Sequence, residues 1–320
     1  MINNIGELLE QGRRKAIQSV NNILVQTYWE IGKSIVEYEQ NGNEKAEYGS
    51  ELLNKLSKDL KLKYGKGFSK SNVYSMRAFF LKYVIFQAVS GKLSWTHYLE
   101  LLSVEGDLAR NFYEKQCINE KWSVRELRRQ KNSLLFERIA LTKDKQGVLD
   151  LAKNGQQIEK NEDIIKEPYI LEFLKIPENH KYSEKNLEQK IIDNLQMFLL
   201  ELGKGFTFVA RQYRLTLDNT HFYVDLVFYH RILKCFVLID LKIGKVDHQD
   251  IGQMNMYLNY FKKEENSSDN APIGIVLGTG KNKLTIEYAL GGITNNLFVS
   301  KYQLYLPSKN ALEKEIKRLL

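Results

Sequence analysis

The alternation of apolar and polar residues changes character part-way along the chain. From residue 1 to about 140, apolar side chains recur at spacings of three and four, as at Ile31 and Ile35 or Leu52, Leu53, Leu56 and Leu60, and proline is absent. That period belongs to helices with one buried face. Ser69, Ser94 and Ser123 stand where helix N-caps are expected: Ser69 follows the Gly65 and Gly67 turn, and Ser123 opens SVRE, a capping-box pattern. Between about Leu141 and Tyr182 the period is lost among DKQG, KNGQQ and PENH. This stretch is expected to be a linker with short helices, EPYILEFL among them. The pattern then mixes two periods. LEQKIIDNLQMFLLELG reads as a helix stopped by Gly203; FTFVARQYRLTL, FYVDLVFY and KCFVLIDLK read as strands, the first two joined by the turn DNTH. DHQDIGQMNMYLNYFKK is a helix, APIGIVLG a strand and NKLTIEYAL a helix. The expectation is an all-α domain over 1–140, a linker over 141–182 and an α/β domain with a mixed sheet over 183–320. No internal repeat is visible, and EENSSDN reads as a low-complexity surface loop.

Composition narrows the class. The 320 residues are 43% hydrophobic and 27% charged, as in soluble globular proteins, and suffice for about two domains. The most apolar run, FFLKYVIFQAV, is broken by Lys82 and too short to span a bilayer. No N-terminal stretch reads as a signal peptide, so a cytoplasmic protein without membrane attachment is expected. Cys117 and Cys235 lie far apart with no CxxC spacing, which supports neither a disulfide framework nor a structural zinc site. They are expected to be buried apolar residues.

A formal charge of +8 favours a polyanionic partner, and its distribution points to nucleic acid. Lys55, Lys58, Lys61, Lys63, Lys66, Lys70, Arg77 and Lys82 face only Asp59 as an acid within that stretch, and RELRRQK adds Arg125, Arg128 and Arg129. In SKSNVYSMRAFF, helical spacing turns Val73, Met76 and Phe80 inward and leaves Lys70, Tyr74 and Arg77 on another face with Asn72 nearby. A helix, a glycine turn and a basic, aromatic second helix suit a helix-turn-helix-like reader of nucleic acid. The alternative is an amphipathic bundle helix with a solvated basic side.

The candidate chemistry lies in FYVDLVFYHRILKCFVLIDLKIG, two strand-like runs that each carry a carboxylate, Asp225 and Asp240. Folded as a hairpin about Ile232 and Leu233, the two acids oppose each other, and Lys242 points to their face. The other side, Val224, Leu226, Phe228, Val237, Ile239 and Leu241, is wholly apolar. Opposed like charges are destabilising. Either Lys242 neutralises one acid in a buried salt bridge, or a divalent ion resolves the repulsion, since oxygen ligands suit Mg²⁺ or Mn²⁺. An Asp followed fifteen residues later by Asp-x-Lys on the adjoining strand resembles the PD-(D/E)xK nuclease motif. Gln253 and Tyr257, four apart on the next helix, resemble the QxxxY element of the exonuclease-like branches; Tyr257 could equally belong to the core stripe of Met254, Leu258 and Phe261. Glu188 lies in line with Ile192, Leu195 and Leu199, at the edge of a helix face turned toward the sheet, with Glu184 and Asp193 as alternatives. His230 and His248 read as surface imidazoles at element ends, and no GxSxG elbow suggests a serine hydrolase.

Taken together, these residues resemble the bacterial YhcG-like family, also described as domain-of-unknown-function 1016. The likeness rests on YWEIGKSIVEYEQ, EYGSELLNKLSKDL, YGKGFSKSNVYSMRAFF, LSWTHYLELL and WSVRELRRQKNSLLFER in the first half. In the second half it rests on LELGKGFTFVARQYRLT, FYVDLVFYH, LIDLKIG, DIGQMNMYLNYF and EYAL. The family more often has Glu where this chain has Asp240. The resemblance implies a helical N-terminal domain, a restriction-endonuclease-like C-terminal domain and Mg²⁺-dependent phosphodiester hydrolysis, with DNA as the expected substrate. Asp225, Asp240, the Leu241 carbonyl and Glu188 would serve the metal, Lys242 would act on the attacking water and on charge at phosphorus, and Gln253 and Tyr257 would position the phosphate. It leaves room for a homodimer and for partner proteins in a mobile-element, defence or recombination system. The competing reading is a DNA-binding subunit whose nuclease fold is idle or dependent on a partner.

Overall fold

One long helix, α1 (Ile2–Gln40), opens the chain, and its second half supplies Val25, Trp29, Ile35 and Val36 to a buried face. After α2 (Ala46–Tyr64), Gly65 takes a φ of 92°, where a side chain would strain the backbone, and a 3₁₀ turn leads to α3 (Lys70–Lys82). The Ser69 hydroxyl caps α3 by accepting the Asn72 N–H at 3.3 Å. Gly32 lets α1 lie directly on α3: a Cβ there would stand 2.1 Å from the Met76 carbonyl oxygen. Val73 and Met76 are buried as the helical period predicts, but the third buried position is Phe79; Phe80 is half-buried, edge-on to Trp29.

The computed structural model describes residues 2–40, 46–83, 92–141, 143–177, 181–265 and 268–306, with 308, 309, 312, 314 and 316. Parts of FFLKYVIFQAV (84–89), of PENH (178–180) and of EENSSDN (266 and 267) lie outside them. Helices α4 (Trp95–Leu102), α5 (Asp107–Glu120) and α6 (Val124–Asn132) follow, and the capping box expected at Ser123 forms with Glu126. The chain divides into two compact units, Met1–Arg129 and Gln130–Leu320. No helix of the described residues is long and apolar enough to cross a membrane.

After the last residues of α6, the second unit continues with α7 (Leu135–Ala140) and α8 (Lys145–Asn154). The segment read as a linker is folded into this unit. It supplies the short strand β1 (Tyr169–Ile170), and Ile164, Tyr169, Leu171, Leu174 and Ile176 enter the core. Arg138, fully buried, bonds to the Ser133 and Pro168 carbonyls at 2.8 and 3.0 Å and to the Glu201 carboxylate, which also accepts the Ile170 N–H at 3.0 Å. These bonds tie the segment to α7 and to the helix that carries Glu201. EPYILEFL forms a strand and a 3₁₀ turn because its apolar residues pair with a sheet edge before a helix can extend.

Helices α9 (Glu184–Asp193) and α10 (Leu195–Leu202) break at Asn194 and end at Gly203. Strands β2 (Phe206–Leu217) and β3 (Thr220–His230) form a hairpin whose two turn residues, Asp218 and Asn219, both have positive φ, as a type I′ turn demands. Next come β4 (Cys235–Leu241), β5 (Lys245–Val246), α11 (His248–Tyr260), β6 (Ile273–Gly278), β7 (Gly280–Lys281), α12 (Lys283–Leu290) and β8 (Asn296–Gln303). The main sheet has six strands in the order β1-β8-β6-β4-β3-β2; β5 and β7 form a separate pair. The first four strands are mutually parallel, and β3 and β2 continue antiparallel, giving the mixed sheet expected. Leu187, Ile191, Phe198 and Leu202 of α9 and α10 cover one face; Ile251, Met254, Leu258 and Ile286 of α11 and α12 cover the other. Strand β8, absent from the sequence reading, lies between β1 and β6.

His230 departs from expectation. It is fully buried, its Nδ1 accepting the Leu233 N–H at 3.1 Å and its Nε2 donating to the Lys204 carbonyl at 3.0 Å, so it pins the β3–β4 turn. His248 is exposed, and both cysteines are buried and free.

Candidate active site

Strands β3 and β4 pair from His230 with Cys235 to Leu226 with Ile239. One step beyond that last pair, the same register sets Asp225 against Asp240 at the end of the hairpin. Gln212, set opposite Asp225 by the flanking pairs Arg211 with Leu226 and Tyr213 with Val224, has a φ of 46°. The expected apolar face is corrected here: Val224 packs with Val227 and Leu238 toward α11, while Leu226, Phe228, Val237, Ile239 and Leu241 face α9 and α10.

Asp225 is half-buried and both its oxygens are engaged. Oδ2 accepts the Leu241 N–H at 2.8 Å and Oδ1 accepts from Gln212 Nε2 at 3.0 Å. The same Gln212 amide donates to Glu188 Oε2 at 2.7 Å. Its two hydrogens thus join a carboxylate of β3 to a buried carboxylate of α9. Burial, and then the nearby Asp225 charge, raise the Glu188 pKa against the lowering effect of the Gln212 bond.

Asp240 is only 3% exposed. Burial first, and the Asp225 charge second, push its carboxyl up to about 7, although Lys242 opposes them. Oδ2 lies 2.9 Å from Lys242 Nζ as an ion pair, yet has no hydrogen-bond partner among the described residues. Lys242 Nζ is also 3.6 Å from Oδ1 of Asp250, in the first turn of α11. Burial would lower the Lys242 pKa, but Asp240 and Asp250 outweigh it and hold the ammonium firmly protonated. Asp250 is itself fixed, since its Oδ2 accepts the Asp247 N–H at 2.9 Å in the α11 cap. Tyr257 is wholly buried in the α11 core, as its alternative reading held, but its hydroxyl receives a bond from Gln253 Nε2. Burial is the main cause of its raised pKa, and the charges of Asp240 and Asp225 add to it.

The structure therefore gathers Glu188, Asp225, Asp240, Leu241, Lys242, Gln253 and Tyr257 at one end of β3 and β4. A buried acid whose Oδ2 is matched only by an ammonium, beside a second acid, is a hard-oxygen donor set that suits Mg²⁺ or Mn²⁺. Among the described residues, no three or more His, Cys, Asp or Glu side chains converge closely enough to hold a metal by themselves. Sequence reasoning missed Gln212 and Asp250. Nothing in ARQYRL announces a left-handed residue, whereas Asp250 carried a signal in the D-x-x-D spacing of the α11 cap.

The basic residues of the first unit divide into two kinds. Lys70 is exposed over the Tyr74 ring at 5.7 Å, and Arg125 is exposed. Asn72 is used internally, donating to the Gly67 carbonyl at 2.5 Å and accepting from Trp95 Nε1 at 2.7 Å. Arg77 grips both oxygens of Glu39 at 2.9 and 2.7 Å, Arg128 pairs with Glu100, and Arg129 is half-buried. The seven candidates are not one open face.

Comparison with known proteins follows the same two halves. Residues 162–317 match the family described as the YhcG PDDEXK nuclease domain, and residues 4–138 match the DUF1016 N-terminal domain. Over 97% of its length the chain is 39% identical to "Putative nuclease YhcG" of Escherichia coli (strain K12), covering 91% of that protein. The chain belongs to the YhcG family. Its second unit is accordingly a PD-(D/E)xK nuclease domain, of a class that hydrolyses phosphodiester bonds, and the YhcG match begins at residue 162, inside the segment read as a linker. Similarity beyond the YhcG family is more distant. A repair endonuclease from Pyrococcus abyssi is 21% identical with a TM-score of 0.29, over 41% of this chain and 50% of that one. EndoMS in complex with double-stranded DNA is 15% identical with a TM-score of 0.28, over 42% and 51%. The chain spans about half the length of these two solved structures.

Proposed function

We propose that this protein is a divalent-metal-dependent nuclease that hydrolyses phosphodiester bonds in DNA. The observation that carries the reading is Asp240: a buried carboxylate whose Oδ2 is met among the described residues by the Lys242 ammonium alone, beside a second acid. Asp225, Asp240 and the Leu241 carbonyl would hold Mg²⁺ or Mn²⁺, with water and substrate completing the shell. When bound, the ion polarises the scissile phosphate and lowers the pKa of water.

The chain's own groups divide the remaining work. Gln212 keeps Asp225 and Glu188 in fixed positions and leaves each oxygen a second lone pair. Lys242, whose ammonium is favoured by Asp240 and Asp250, would orient the attacking water as a donor and offset the negative charge that builds on phosphorus. Gln253, anchored through Tyr257 to the α11 core, presents its amide carbonyl and remaining N–H toward the phosphate. Exposed lysines along α2 and the start of α3 (Lys55, Lys58, Lys61, Lys63, Lys66 and Lys70) offer phosphate contacts in the helical unit. A cytoplasmic location, bacterial partner proteins and a mobile-element or defence setting belong to the same reading.

The test is cleavage of labelled linear, single-stranded and branched DNA, with RNA as a further arm, in Mg²⁺ or Mn²⁺, by wild type and by Asp240→Ala. Metal-dependent cutting of DNA that disappears in the variant is expected. Binding without cutting by the wild type would turn the protein into a recognition subunit, and cutting of RNA alone would replace the substrate.

A further inference from the structure

The first half of α1 carries an apolar stripe with nothing of the described chain upon it. Ile2, Ile5, Leu9, Val20 and Ile23 are between 48% and 83% exposed, and Ala16 is exposed with them. At about 100° per residue, the six fall within a sector of about 60°. The same helix buries Val25, Trp29, Ile35 and Val36 further along, and Ile17, Gln18 and Asn21 line a cavity with Leu93, His97 and Trp122 on another side, so the stripe lies on a side of α1 that no described residue covers. A contiguous apolar strip of this kind marks an interaction surface.

Its spacing identifies the occupant. The stripe is its own mirror image about the bond between Gly12 and Arg13: Ile2 corresponds to Ile23, Ile5 to Val20 and Leu9 to Ala16. Two copies of α1 laid antiparallel about that point set each of these six residues against another of them from the other copy, with the large Leu9 over the small Ala16. Gly12 falls at the centre, and no atom lies within 4 Å of where its Cβ would be, so the helices can approach closely there. The charges agree with this direction. Arg13 pairs with its own Glu10 at 2.9 Å, both side chains being largely exposed. The antiparallel arrangement places the Glu10 of the other copy beside each Arg13, so that two acids and two bases share one flank. A parallel pairing would instead stack Gly12 on Gly12 and Ala16 on Ala16, leaving voids in the middle of the seam.

We propose that residues 2–23 of α1 form an antiparallel seam between two copies of this chain. The interface is isologous, the same surface serving both partners, as closed two-fold dimers require. It is independent of the nuclease reading.

The full-length chain tests it. By sedimentation equilibrium the wild type is expected as a dimer at micromolar concentration, and Ile5→Asp with Val20→Asp raises the dissociation constant by at least about 100-fold, because charges are then placed inside the seam. Both side chains are exposed in the single chain, so the melting of the monomer fold is expected to be unchanged. Orientation is read by oxidative cross-linking, to which the buried Cys117 and Cys235 do not contribute. Ile5→Cys with Val20→Cys together give a covalent dimer, and Ile5→Cys alone does not. A monomeric wild type, a dimer indifferent to the aspartates, or a covalent dimer from Ile5→Cys alone would each overturn the proposal.

Discussion

Gln212 is uncharged, and it holds two carboxylates in place. Its amide reaches Glu188 Oε2 at 2.7 Å and Asp225 Oδ1 at 3.0 Å from a backbone φ of 46°. Outer-shell groups of this kind typically change activity by about 10- to 100-fold. Gln212→Ala is expected to lower kcat within that range with little change in KM, as followed by steady-state cleavage of a labelled duplex; an unchanged kcat would reduce the amide to a packing role. His230 gives a second prediction, on stability. Burial, with Arg231 assisting, holds its imidazole pKa below the ordinary value against the raising effect of the Lys204 carbonyl. The folded protein therefore resists protonation at this ring while the unfolded chain accepts it, and the contribution of His230 to stability falls as pH drops through about 6.5 toward the folded-state value. The raised Asp240 carboxyl acts in the opposite sense over the same range, so the His230 effect is read as a difference between two proteins. His230→Asn keeps an acceptor for the Leu233 N–H, and in urea titrations at pH 8, 6.5 and 5.5 the stability of the wild type relative to this variant should fall progressively. At this scale the sequence makes Asp225, Asp240 and Lys242 legible because strand side chains alternate with a period of two and a hairpin has one centre. Gln212 and the burial of His230 are not legible, because they arise from a distorted ladder and from a turn that folds back over the ring.

Elements show the same division between local rules and tertiary context. Helices in the first unit can be read from their period and serine caps, and the β2–β3 and β3–β4 hairpins from their turn residues. β1 and β8 are not readable in this way. Tyr169–Ile170 is too short to show alternation, and Asn296–Gln303 acquires its strand character by pairing with β6 and β1. Helix packing supplies a prediction of opposite signs at two glycines. In α1, a methyl group on Gly32 would meet the Met76 carbonyl at 2.1 Å, so Gly32→Ala forces α1 from α3. Overpacking of this sort costs about 1–3 kcal/mol, more than the roughly 1 kcal/mol that alanine returns in helix propensity. In α11, Gly252 has no neighbour within 4 Å of a Cβ position, and Gly252→Ala should gain up to about 1 kcal/mol. Thermal melts are expected to move down for the first and up for the second. A Gly32→Ala protein as stable as wild type would show that the α1–α3 contact yields easily.

Across the whole molecule, the grouping of charge implies that binding and chemistry can be separated. The lysines that remain available for phosphates lie on α2, the 3₁₀ turn and the start of α3, where Lys58, Lys66 and Lys70 are exposed, whereas Arg77 is committed to Glu39 and Arg128 to Glu100. Replacing Lys58, Lys66 and Lys70 together by Gln should weaken DNA binding and flatten the plot of log K against log salt by about 0.9 for each phosphate no longer neutralised, while kcat at saturating DNA stays the same. Arg77→Ala should behave differently. It removes a paired guanidinium and strands Glu39, so it should lower the melting temperature and leave the salt slope almost unchanged. Asp240→Ala completes the comparison, since it should bind with the wild-type slope and fail to cut. If the triple lysine variant kept the full salt slope, nucleic acid would not be approaching along this ridge, and the basic side of the helical unit would be a solvated face. If Arg77→Ala flattened the slope as much as the lysines do, the Glu39 pair would open on binding, and the face expected from helical spacing alone would be the one that meets the phosphates.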